Sequence, residues 1–274
     1  MRPPRSKSLI FDIYGGFVRP LGGWIAIADL ITLMDDLGVD QQTVRSSVSR
    51  MSRKGMLVRR RLADQSGYEL SPQAEAILEE GDQRIFAGTQ PAVIADGWAL
   101  AVFSVPEDQR GKRHQLRSQL TWLGFGNLGG GVWLAPRRVL ERGAEAVRRL
   151  QLEQYVDLFE AHYREFDELR ALVDRCWDLD RVGGLYAEFV ETVTPLLGRW
   201  RRSGTADRER LAFIDFTTVL HRWRKMPYLD PGLPLELLPG DWRGTRAAEL
   251  FGEVVDRLEK PALGYVERLI NGSS

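Results

Sequence analysis

The segment from Gln41 to Lys54 constrains the fold most, because its apolar residues follow the period of a helix. Val44, Val48 and Met51 recur at spacings of four and three residues, which predicts one apolar stripe along a helix. That stripe must face a protein core, so the other residues face outward. They carry amides, hydroxyls and guanidinium groups: Gln41, Gln42, Arg45, Ser46, Ser49, Arg50 and Arg53.

A basic hairpin is predicted directly after this helix. Gly55 can end the helix, and the sequences MLVRRR and GYEL predict two short strands joined by the loop LADQSG. The first strand carries Arg59, Arg60 and Arg61. Ser71–Pro72 then predicts a new helix, with a capping hydroxyl and a proline at the first helical position. The region 5–88 is therefore predicted as helix, helix, helix, hairpin, helix.

This order of elements predicts a winged helix-turn-helix with residues 41–54 as its recognition helix. Arg and Gln on such a helix can reach base edges in the major groove, and hairpin arginines can hold neighbouring phosphates. Between Gln41 and Asp64 there are seven cations and no acid, in a chain that balances 38 basic against 38 acidic residues. The alternative is a solvated amphipathic helix beside a basic hairpin. Pattern, element order and local charge together favour double-stranded DNA as the partner.

The middle of the chain is predicted to form a small sheet with two helices. GWALAVFSV, GVWLAP and QYVDLFEAHY predict strands, a further short strand is expected near Gly126–Leu128, and helices are expected from Pro106 and from Arg137. The order βαββαβ is that of the ferredoxin-like arrangement. The glycine run Gly129–Gly131 lacks the Gly-Lys-Ser/Thr ending of a phosphate-binding loop and leads into a strand, so we interpret it as a hairpin turn.

The last part of the chain, from about Arg164 to Ser274, is predicted to be helical, which makes the fold class α+β. Two sets of apolar residues have helical spacing: Phe213, Phe216, Leu220 and Trp223, and then Ala247, Leu250, Val254 and Leu258. Between them lies HRWRKMPYLDPGLPLELLPGDWRG, which is rich in proline, glycine and aromatic residues. Long ordered loops of this kind are often functional.

Three stretches make the chain resemble a known family. They are QQTVRSSVSRMSRKGML, LAVFSVPEDQRGKRHQLRSQLTWLGFGNLGGGVWLAPR and HRWRKMPYLDPGLPLELLPGDWRG. In this order they resemble the PaaX-type transcriptional repressors of phenylacetic acid degradation, over nearly the whole chain. The resemblance implies a winged-helix domain, a ferredoxin-like domain similar to CRISPR-associated spacer-acquisition nucleases, and a helical C-terminal domain that binds an effector. We expect these domains at residues 1–90, 91–163 and 164–274.

The resemblance also implies a function. It implies a homodimer that represses a phenylacetate-type catabolic operon from a palindromic operator and is released by an aryl-acyl-CoA, typically phenylacetyl-CoA. The dimer agrees with a symmetry argument, since one winged helix covers only a half-site. The operator, the regulated genes, the dimer interface, an activating role and the acyl group itself stay open.

A CoA thioester needs cations for its phosphates and apolar walls for its acyl group. The C-terminal region offers both in GRWRR, in HRWRK and in nearby aromatic residues; the candidates are Arg199, Arg201, Arg222, Trp223, Arg224, Lys225, Tyr228 and Trp242. Alternatively, the tryptophans are core residues and the arginines are surface charges or pair with acids such as Asp230 and Glu236. A free aromatic acid would need only one such arginine, so the number of cations favours the CoA ester.

The middle domain raises one enzymatic alternative, metal-dependent cleavage of nucleic acid. Mg²⁺ prefers carboxylate ligands, and the related nucleases place an aspartate at the end of the first strand. Here Ser104 stands at that position, while acids such as Glu107 and Asp108 are ordinary at a helix N-terminus. We therefore predict a regulator and not an enzyme.

Other residue patterns exclude further classes. The three histidines (His114, His162 and His221) lie far apart in sequence without a cysteine cluster, so neither a zinc site nor a cofactor is expected. Cys176 is the single cysteine and can form no internal disulfide, which fits a reducing cytosol. The sequence contains no apolar run long enough for a membrane span, and no apolar signal core follows the basic start. We expect a cytoplasmic protein.

Overall fold

The computed structural model describes residues 6–86, 91–164, 168–202 and 208–272. Its fold is mixed α+β, with two small sheets whose paired strands are antiparallel. Within the described ranges, no helix has the length and apolar character needed to cross a membrane.

The chain packs as two compact units that do not follow its linear order. One comprises Met1–Ala87, Phe189–Arg224 and Arg246–Ser274; the other comprises Gly88–Glu188 and Lys225–Thr245. The N-terminal segment therefore shares a unit with helices from the end of the chain. Packing units and sequence domains divide a chain differently, so the domain boundaries at 90 and 163 stay a prediction.

The N-terminal part alternates helices with three strands. Its elements are α1 (Ser6–Ile13, continued by a π-helical segment, Tyr14–Val18), β1 (Trp24–Ala26), α2 (Ile27–Asp36), α3 (Gln41–Arg53), β2 (Leu57–Leu62), β3 (Gln65–Leu70) and α4 (Pro72–Phe86). The predicted order of helix, helix, helix, hairpin and helix is confirmed. The strand β1 was missed, because three residues are too few to show a periodic pattern.

Helix α3 has almost the predicted bounds, and its ends have clear physical causes. The Asp40 carboxylate caps the N-terminus, accepting from the Thr43 amide at 2.9 Å and from the Thr43 hydroxyl at 2.6 Å. At the other end Gly55 has a φ of +68°, and the Met56 amide donates to the Met51 carbonyl at 3.0 Å. The apolar stripe is buried as expected, with Val44, Val48 and Met51 at most 2% exposed.

The hairpin after α3 is longer and its turn tighter than the sequence predicted. Leu62 pairs with Gln65, so only Ala63 and Asp64 form the turn where a loop of six residues was expected. Ala63 has a φ of +49°, as a two-residue hairpin turn requires. The polar residues beside the turn gave no alternation that could have marked these strand ends. The sheet order is β1-β3-β2, which leaves β2 on an edge.

The remaining α-helices and strands of the chain follow the N-terminal part. They are β4 (Trp98–Phe103), α5 (Arg110–Leu123), β5 (Gly126–Gly129), β6 (Val132–Pro136), α6 (Leu140–Arg149), β7 (Val156–Ala161), α7 (Leu169–Cys176), α8 (Leu179–Arg202), α9 (Arg208–Trp223), α10 (Met226–Leu229) and α11 (Gly244–Gly272).

The first unit has an aromatic core that joins the N-terminal helices to the C-terminal ones. The Phe17 ring lies 5.2 Å from that of Phe213 and 5.8 Å from that of Phe216 on α9. Burying each such ring contributes about 1.5–3 kcal/mol. Both apolar sets predicted for α9 and α11 are buried.

The second unit is built on a four-stranded sheet of order β5-β6-β4-β7. One sheet face, with Ala99, Ala101 and Phe103, packs on α5 and α6. The opposite face carries Trp98 and Leu134 and packs on α7 and on the segment around Leu233. The predicted order β, α, β, β, α, β is confirmed, although the helix expected from Pro106 begins with a 3-10 turn and becomes α-helical only at Arg110.

Two loops of the second unit have internal structural roles. Gly129–Gly131 all have positive φ, and a Cβ on Gly131 would lie 2.4 Å from the Phe103 carbonyl oxygen, which confirms the predicted hairpin turn. In the proline-rich segment, the buried Asp230 accepts from the Tyr186 hydroxyl at 2.7 Å and from the Gly232 amide at 2.7 Å. Those hydrogen bonds attach the Asp230–Gly232 turn to α8.

Candidate nucleic-acid interface

The polar face of α3 consists of Gln41, Gln42, Arg45, Ser46, Ser49, Arg50 and Arg53, and all seven residues are exposed. Its internal contacts are between neutral groups or between a cation and a neutral group. The Gln41 amide oxygen, when turned to meet its neighbour, accepts from Arg45 Nε at 3.0 Å, and Arg50 donates to Ser47 Oγ at 3.0 Å. Among the described residues, Arg45, Arg50 and Arg53 have no carboxylate partner. The face therefore presents three guanidinium groups that are not neutralised.

The N-terminus of α3 is fixed by its cap. Hydrogen bonds from the Thr43 hydroxyl and amide hold the pKa of Asp40 below its ordinary value of 3.8, so the cap is ionised at neutral pH. The negative charge of the carboxylate also interacts favourably with the positive end of the helix dipole. The first exposed side chains of the polar face, Gln41 and Gln42, directly follow this cap.

The basic hairpin, β2 and β3, divides its three arginines between two faces. Arg59 and Arg61 share a face with the buried Leu57, because side chains alternate along a strand. Arg59 Nε donates to Ser66 Oγ at 3.1 Å, and Arg61 lies 3.4 Å from the fully exposed Asp64. Together with Ser66 and Asp64, Arg59 and Arg61 line an open depression of about 540 Å³.

Arg60 points to the opposite face and has structural partners. Its Nε lies 2.8 Å from a Glu69 carboxylate oxygen on the neighbouring strand, and its carbonyl accepts from Trp24 Nε1 at 3.4 Å. The Trp24 ring also covers Gly67, where a Cβ would lie 2.4 Å from the ring. Arg60 therefore lies on a different face of the hairpin from Arg59 and Arg61, although the three arginines are consecutive in the sequence.

The effector candidates divide between the two units. Arg199, Arg201, Arg222, Trp223 and Arg224 belong to the first, and Lys225, Tyr228 and Trp242 to the second. In the first unit, the exposed cations have partners: Arg199 lies 3.7 Å from Asp215, and Arg201 lies 2.6 Å from Glu253. Arg222 is partly buried and donates to Thr192 Oγ1 at 3.1 Å.

Two of these candidates take part in the core of the first unit. Trp223 is 3% exposed, stacks 4.7 Å from Phe251 and donates its indole N–H to the Ile85 carbonyl at 3.0 Å. Arg224 Nε lies 2.7 Å from the carboxylate of Asp12, which is itself buried and also contacts the His221 ring at 2.5 Å. The sequence left open that these candidates are core residues or ion-pair partners. The surroundings of Trp223 fit a core role, and those of Arg224 fit an ion pair.

In the second unit the candidates have different surroundings. Lys225 is exposed. Tyr228 lies 5.6 Å from Trp122, and the ring of Trp242 meets that of Tyr186 edge-on at 5.4 Å. Gly183 packs against one face of Trp242, and a Cβ at Gly183 would lie 3.7 Å from the ring. These aromatic residues form packed contacts within their own unit.

The structure also locates Ser104, the residue on which the nuclease alternative depends. Ser104 directly follows β4 and is exposed, with its amide donating to the Tyr155 carbonyl at 3.0 Å. Glu107 pairs with Arg113 at 2.9 Å. Throughout the described ranges, no group of three or more His, Cys, Asp or Glu residues is arranged to hold a metal ion.

Family models match three successive parts of the chain. Residues 5–74 match the PaaX-like protein, residues 91–173 the PaaX protein central Cas2-like domain, and residues 177–268 the PaaX-like protein C-terminal domain. The chain belongs to the PaaX family. The resemblance drawn from the three sequence stretches is thereby confirmed.

One named relative and one solved structure are similar to the chain over nearly its whole length. The transcriptional repressor PaaX of Escherichia coli (strain K12) is 28% identical over 267 residues, which cover 96% of this chain and 84% of that protein. Its name is that of a repressor and not of an enzyme, in agreement with the expected regulator. The structure of the uncharacterized protein Rv0674 from Mycobacterium tuberculosis superposes with a TM-score of 0.59 at 24% identity, covering 96% of this chain and 98% of that one. That similarity establishes a shared fold.

Sequence reasoning missed the acids that organise the first unit. Asp12 and Asp36 are far in sequence from their partners on α9 and α11, so no local pattern could identify those partners. One signal was available for Asp36. An acid at the C-terminal end of a helix is opposed by the helix dipole, which suggests that it is retained for a specific partner.

Proposed function

We propose that this chain is a DNA-binding transcriptional repressor whose residues 6–86 act as a winged helix-turn-helix. In this proposal α2 and α3 are the helix-turn-helix and α3 lies in the major groove of operator DNA. The observation that carries the proposal is the exposed polar face of α3, with three arginines that have no acidic partner among the described residues. Exposed arginines and glutamines on one helix face are suited to reading guanine and adenine edges.

The basic hairpin is proposed as the wing that holds the DNA backbone. Arg59 and Arg61 are highly exposed, and the ion pair of Arg61 with Asp64 is of the surface type that is worth about 0–1 kcal/mol. A phosphate can replace such a partner at little cost. Arg60 is paired with Glu69 on the opposite face, so we assign it a structural role in the wing.

The middle domain is proposed to be ferredoxin-like and structural. The strand order β5-β6-β4-β7 with helices between the first and second and between the third and fourth strands supports that topology. The serine at the end of β4 offers no carboxylate to a divalent cation, which is why we favour a regulator over a nuclease. The protein would act as a cytoplasmic homodimer, since a palindromic operator mirrors the symmetry of two copies.

The proposed signal is an aryl-acyl-CoA such as phenylacetyl-CoA, which releases the repressor from a phenylacetate-type operon. The exposed cations Arg199, Arg201 and Lys225 are the candidates most accessible to the CoA phosphates. Arg222, Tyr228 and Trp242 remain candidates as partly buried side chains. Trp223 and Arg224 could take part only if the effector displaced their internal partners.

Operator binding and release are tested together in one assay. The purified chain is bound to DNA from upstream of its own gene and followed by fluorescence anisotropy, against random DNA of the same length. Phenylacetyl-CoA should then release the operator while free phenylacetate should not, because the effector must bind the DNA-free form more tightly. Equal binding to operator and random DNA would overturn the repressor proposal. Release by the free acid as effective as release by the thioester would overturn the CoA effector alone.

A further inference from the structure

A three-residue clamp in the first unit joins the end of α2 to helices α9 and α11. Arg210 Nε and a terminal guanidinium nitrogen each lie 2.7 Å from Asp36 Oδ1, and the Tyr265 hydroxyl donates to Asp36 Oδ2 at 2.6 Å. The Asp36 side chain is only 6% exposed. Both carboxylate oxygens are therefore held, one from α9 and one from α11.

The position of Asp36 makes these partners necessary. It is the last residue of α2, where the negative end of the helix dipole disfavours a carboxylate. Burial adds a desolvation cost that only charge-assisted hydrogen bonds can offset. Burial and the hydrogen bond to Asp36 raise the pKa of Tyr265 to about 12, so its phenol keeps the proton that it donates.

The clamp lies four residues before the cap of α3. Between Asp36 and Asp40 the chain makes a tight turn, with Gly38 at a φ of +77° and the Val39 amide donating to the Met34 carbonyl at 2.9 Å. Only three residues separate Asp36 from Asp40, and the internal hydrogen bond limits how far the two can move independently. Any shift of Asp36 is therefore passed to Asp40 and to the first exposed residues of α3, Gln41 and Gln42.

We propose that the Asp36–Arg210–Tyr265 clamp is a positioning device that sets the angle at which the N-terminus of α3 meets operator DNA. This inference rests on the proposed repressor function. The three residues contact no DNA themselves; they act through the turn and the Asp40 cap. The clamp also gives α9 and α11 a direct mechanical connection to the DNA-reading helix, through which a change in the C-terminal helices alters operator affinity.

The test uses two conservative variants of the full-length protein. Tyr265→Phe removes only the hydroxyl and keeps the ring that packs 5.7 Å from Phe213, while Asp36→Asn keeps the size of the side chain and removes its charge. Each variant is measured for affinity to operator DNA, affinity to random DNA, the salt dependence of both, and thermal unfolding. We expect operator binding to weaken roughly two- to thirtyfold, the range over which residues that do not touch the ligand typically change its binding. Random-DNA affinity and its salt slope should stay unchanged, because every phosphate interaction is kept.

A matched control comes from the same two helices. Arg268→Gln breaks the ion pair of Arg268 with Glu209, which also joins α11 to α9 but does not involve α2. This control should keep wild-type operator affinity. The double variant Asp36→Asn, Tyr265→Phe should bind no more weakly than Asp36→Asn alone, because both changes break one network.

The possible outcomes separate the inference from the function on which it rests. If wild-type protein prefers no DNA sequence, the repressor proposal fails. If the wild type prefers its operator but Tyr265→Phe and Asp36→Asn bind it equally well, the clamp proposal fails alone. Parallel decreases on operator and random DNA with a lowered melting temperature would also overturn it, because they indicate a general loss of folding. If Asp36→Asn does not fold, the Tyr265→Phe variant decides by the same criteria.

Discussion

The arginines of α3 and those of the C-terminal helices look alike in the sequence and differ in their surroundings. On α3, Arg45, Arg50 and Arg53 have no carboxylate partner among the described residues. On α8 and directly after α9, Arg199, Arg201 and Arg224 each lie within 4 Å of an acid. A cluster of cations attracts a ligand only to the extent that the protein has not already neutralised it. This difference favours α3 as a ligand-binding surface. It favours a structural role, as ion-pair partners, for the C-terminal arginines.

The largest expected effect is the salt dependence of DNA binding. If the arginines of α3 and the hairpin meet phosphates, raising salt from about 50 to 200 mM should weaken binding by about a thousandfold in a dimer with several such interactions per copy. Anisotropy titrations at a series of salt concentrations measure the slope. A slope near zero would remove the contrast between the two regions, because it would mean that the α3 cations release no counterions.

The second prediction concerns the stability contributed by a C-terminal arginine. Arg224→Ala leaves the buried Asp12 with one partner fewer and should lower the free energy of unfolding by about 1.5–3 kcal/mol. Arg199→Ala removes a long ion pair at the surface and should change it by about 0–1 kcal/mol. Urea denaturation of both variants provides the comparison. If both variants lowered the free energy of unfolding by the same small amount, Arg224 would again be a candidate for effector binding.

The third prediction addresses base reading. Replacing Gln42 or Arg45 by Ala should cost about 1–3 kcal/mol on the operator and much less on random DNA, since hydrogen bonds to a base are removed while those to the DNA backbone stay. Circular dichroism should show unchanged helix content, because both side chains are exposed. Equal decreases on the two DNA sequences would reassign these residues to phosphate binding.

The fourth prediction separates the two faces of the basic hairpin. Arg59→Ala with Arg61→Ala should weaken operator and random DNA alike and reduce the salt slope by about one unit for each phosphate that is no longer neutralised. Arg60→Ala should leave that slope unchanged, because its guanidinium is paired with Glu69 on the other face. A change in sequence preference in the Arg59, Arg61 double variant would show that the hairpin reads bases.

The smallest expected effect is the loss of the α3 cap. Asp40→Ala should lower the free energy of unfolding because the helix loses its N-cap, whereas Asp40→Ser should be nearly neutral, since serine also caps helices. The folded-state pKa of Asp40 is lowered, so its stabilisation is present above the ordinary value of 3.8 and is lost as pH falls through the lower value. The difference between wild type and Asp40→Ala should therefore shrink below pH 3.8. A difference that persists there would assign the effect to something other than the ionised cap.

Sequence patterns predicted the elements of this fold better than their associations. The stripe of Val44, Val48 and Met51 defined α3 because burial imposes a period on neighbouring residues. The pairing of Arg60 with Glu69 depended on the register of a hairpin whose turn proved shorter than predicted. The position of Asp36 at a helix C-terminus suggested a partner, but local composition did not show that this partner was Tyr265.

The same limit applied to the candidate sites. All ten residues proposed on α3 and the hairpin are exposed, because outward position on an amphipathic element follows from periodicity. Exposure of the C-terminal candidates could not be predicted in the same way. Trp223 was both a member of a predicted apolar helix face and an effector candidate, and the packed structure shows that it lies on the inward face.

The discontinuous make-up of the first unit has a consequence for synthesis on the ribosome. Helix α3 precedes the segment Arg246–Ser274, which completes its unit, by about two hundred residues. At translation rates of about 5–20 residues per second, that separation corresponds to roughly ten to forty seconds. For most of this interval Phe17 lacks the rings of Phe213 and Phe216 and Asp36 lacks Arg210, and Tyr265 follows only after it. A nascent chain therefore exposes its cationic helix before the supporting core exists, and we expect competent protein only after translation of the last helix is complete.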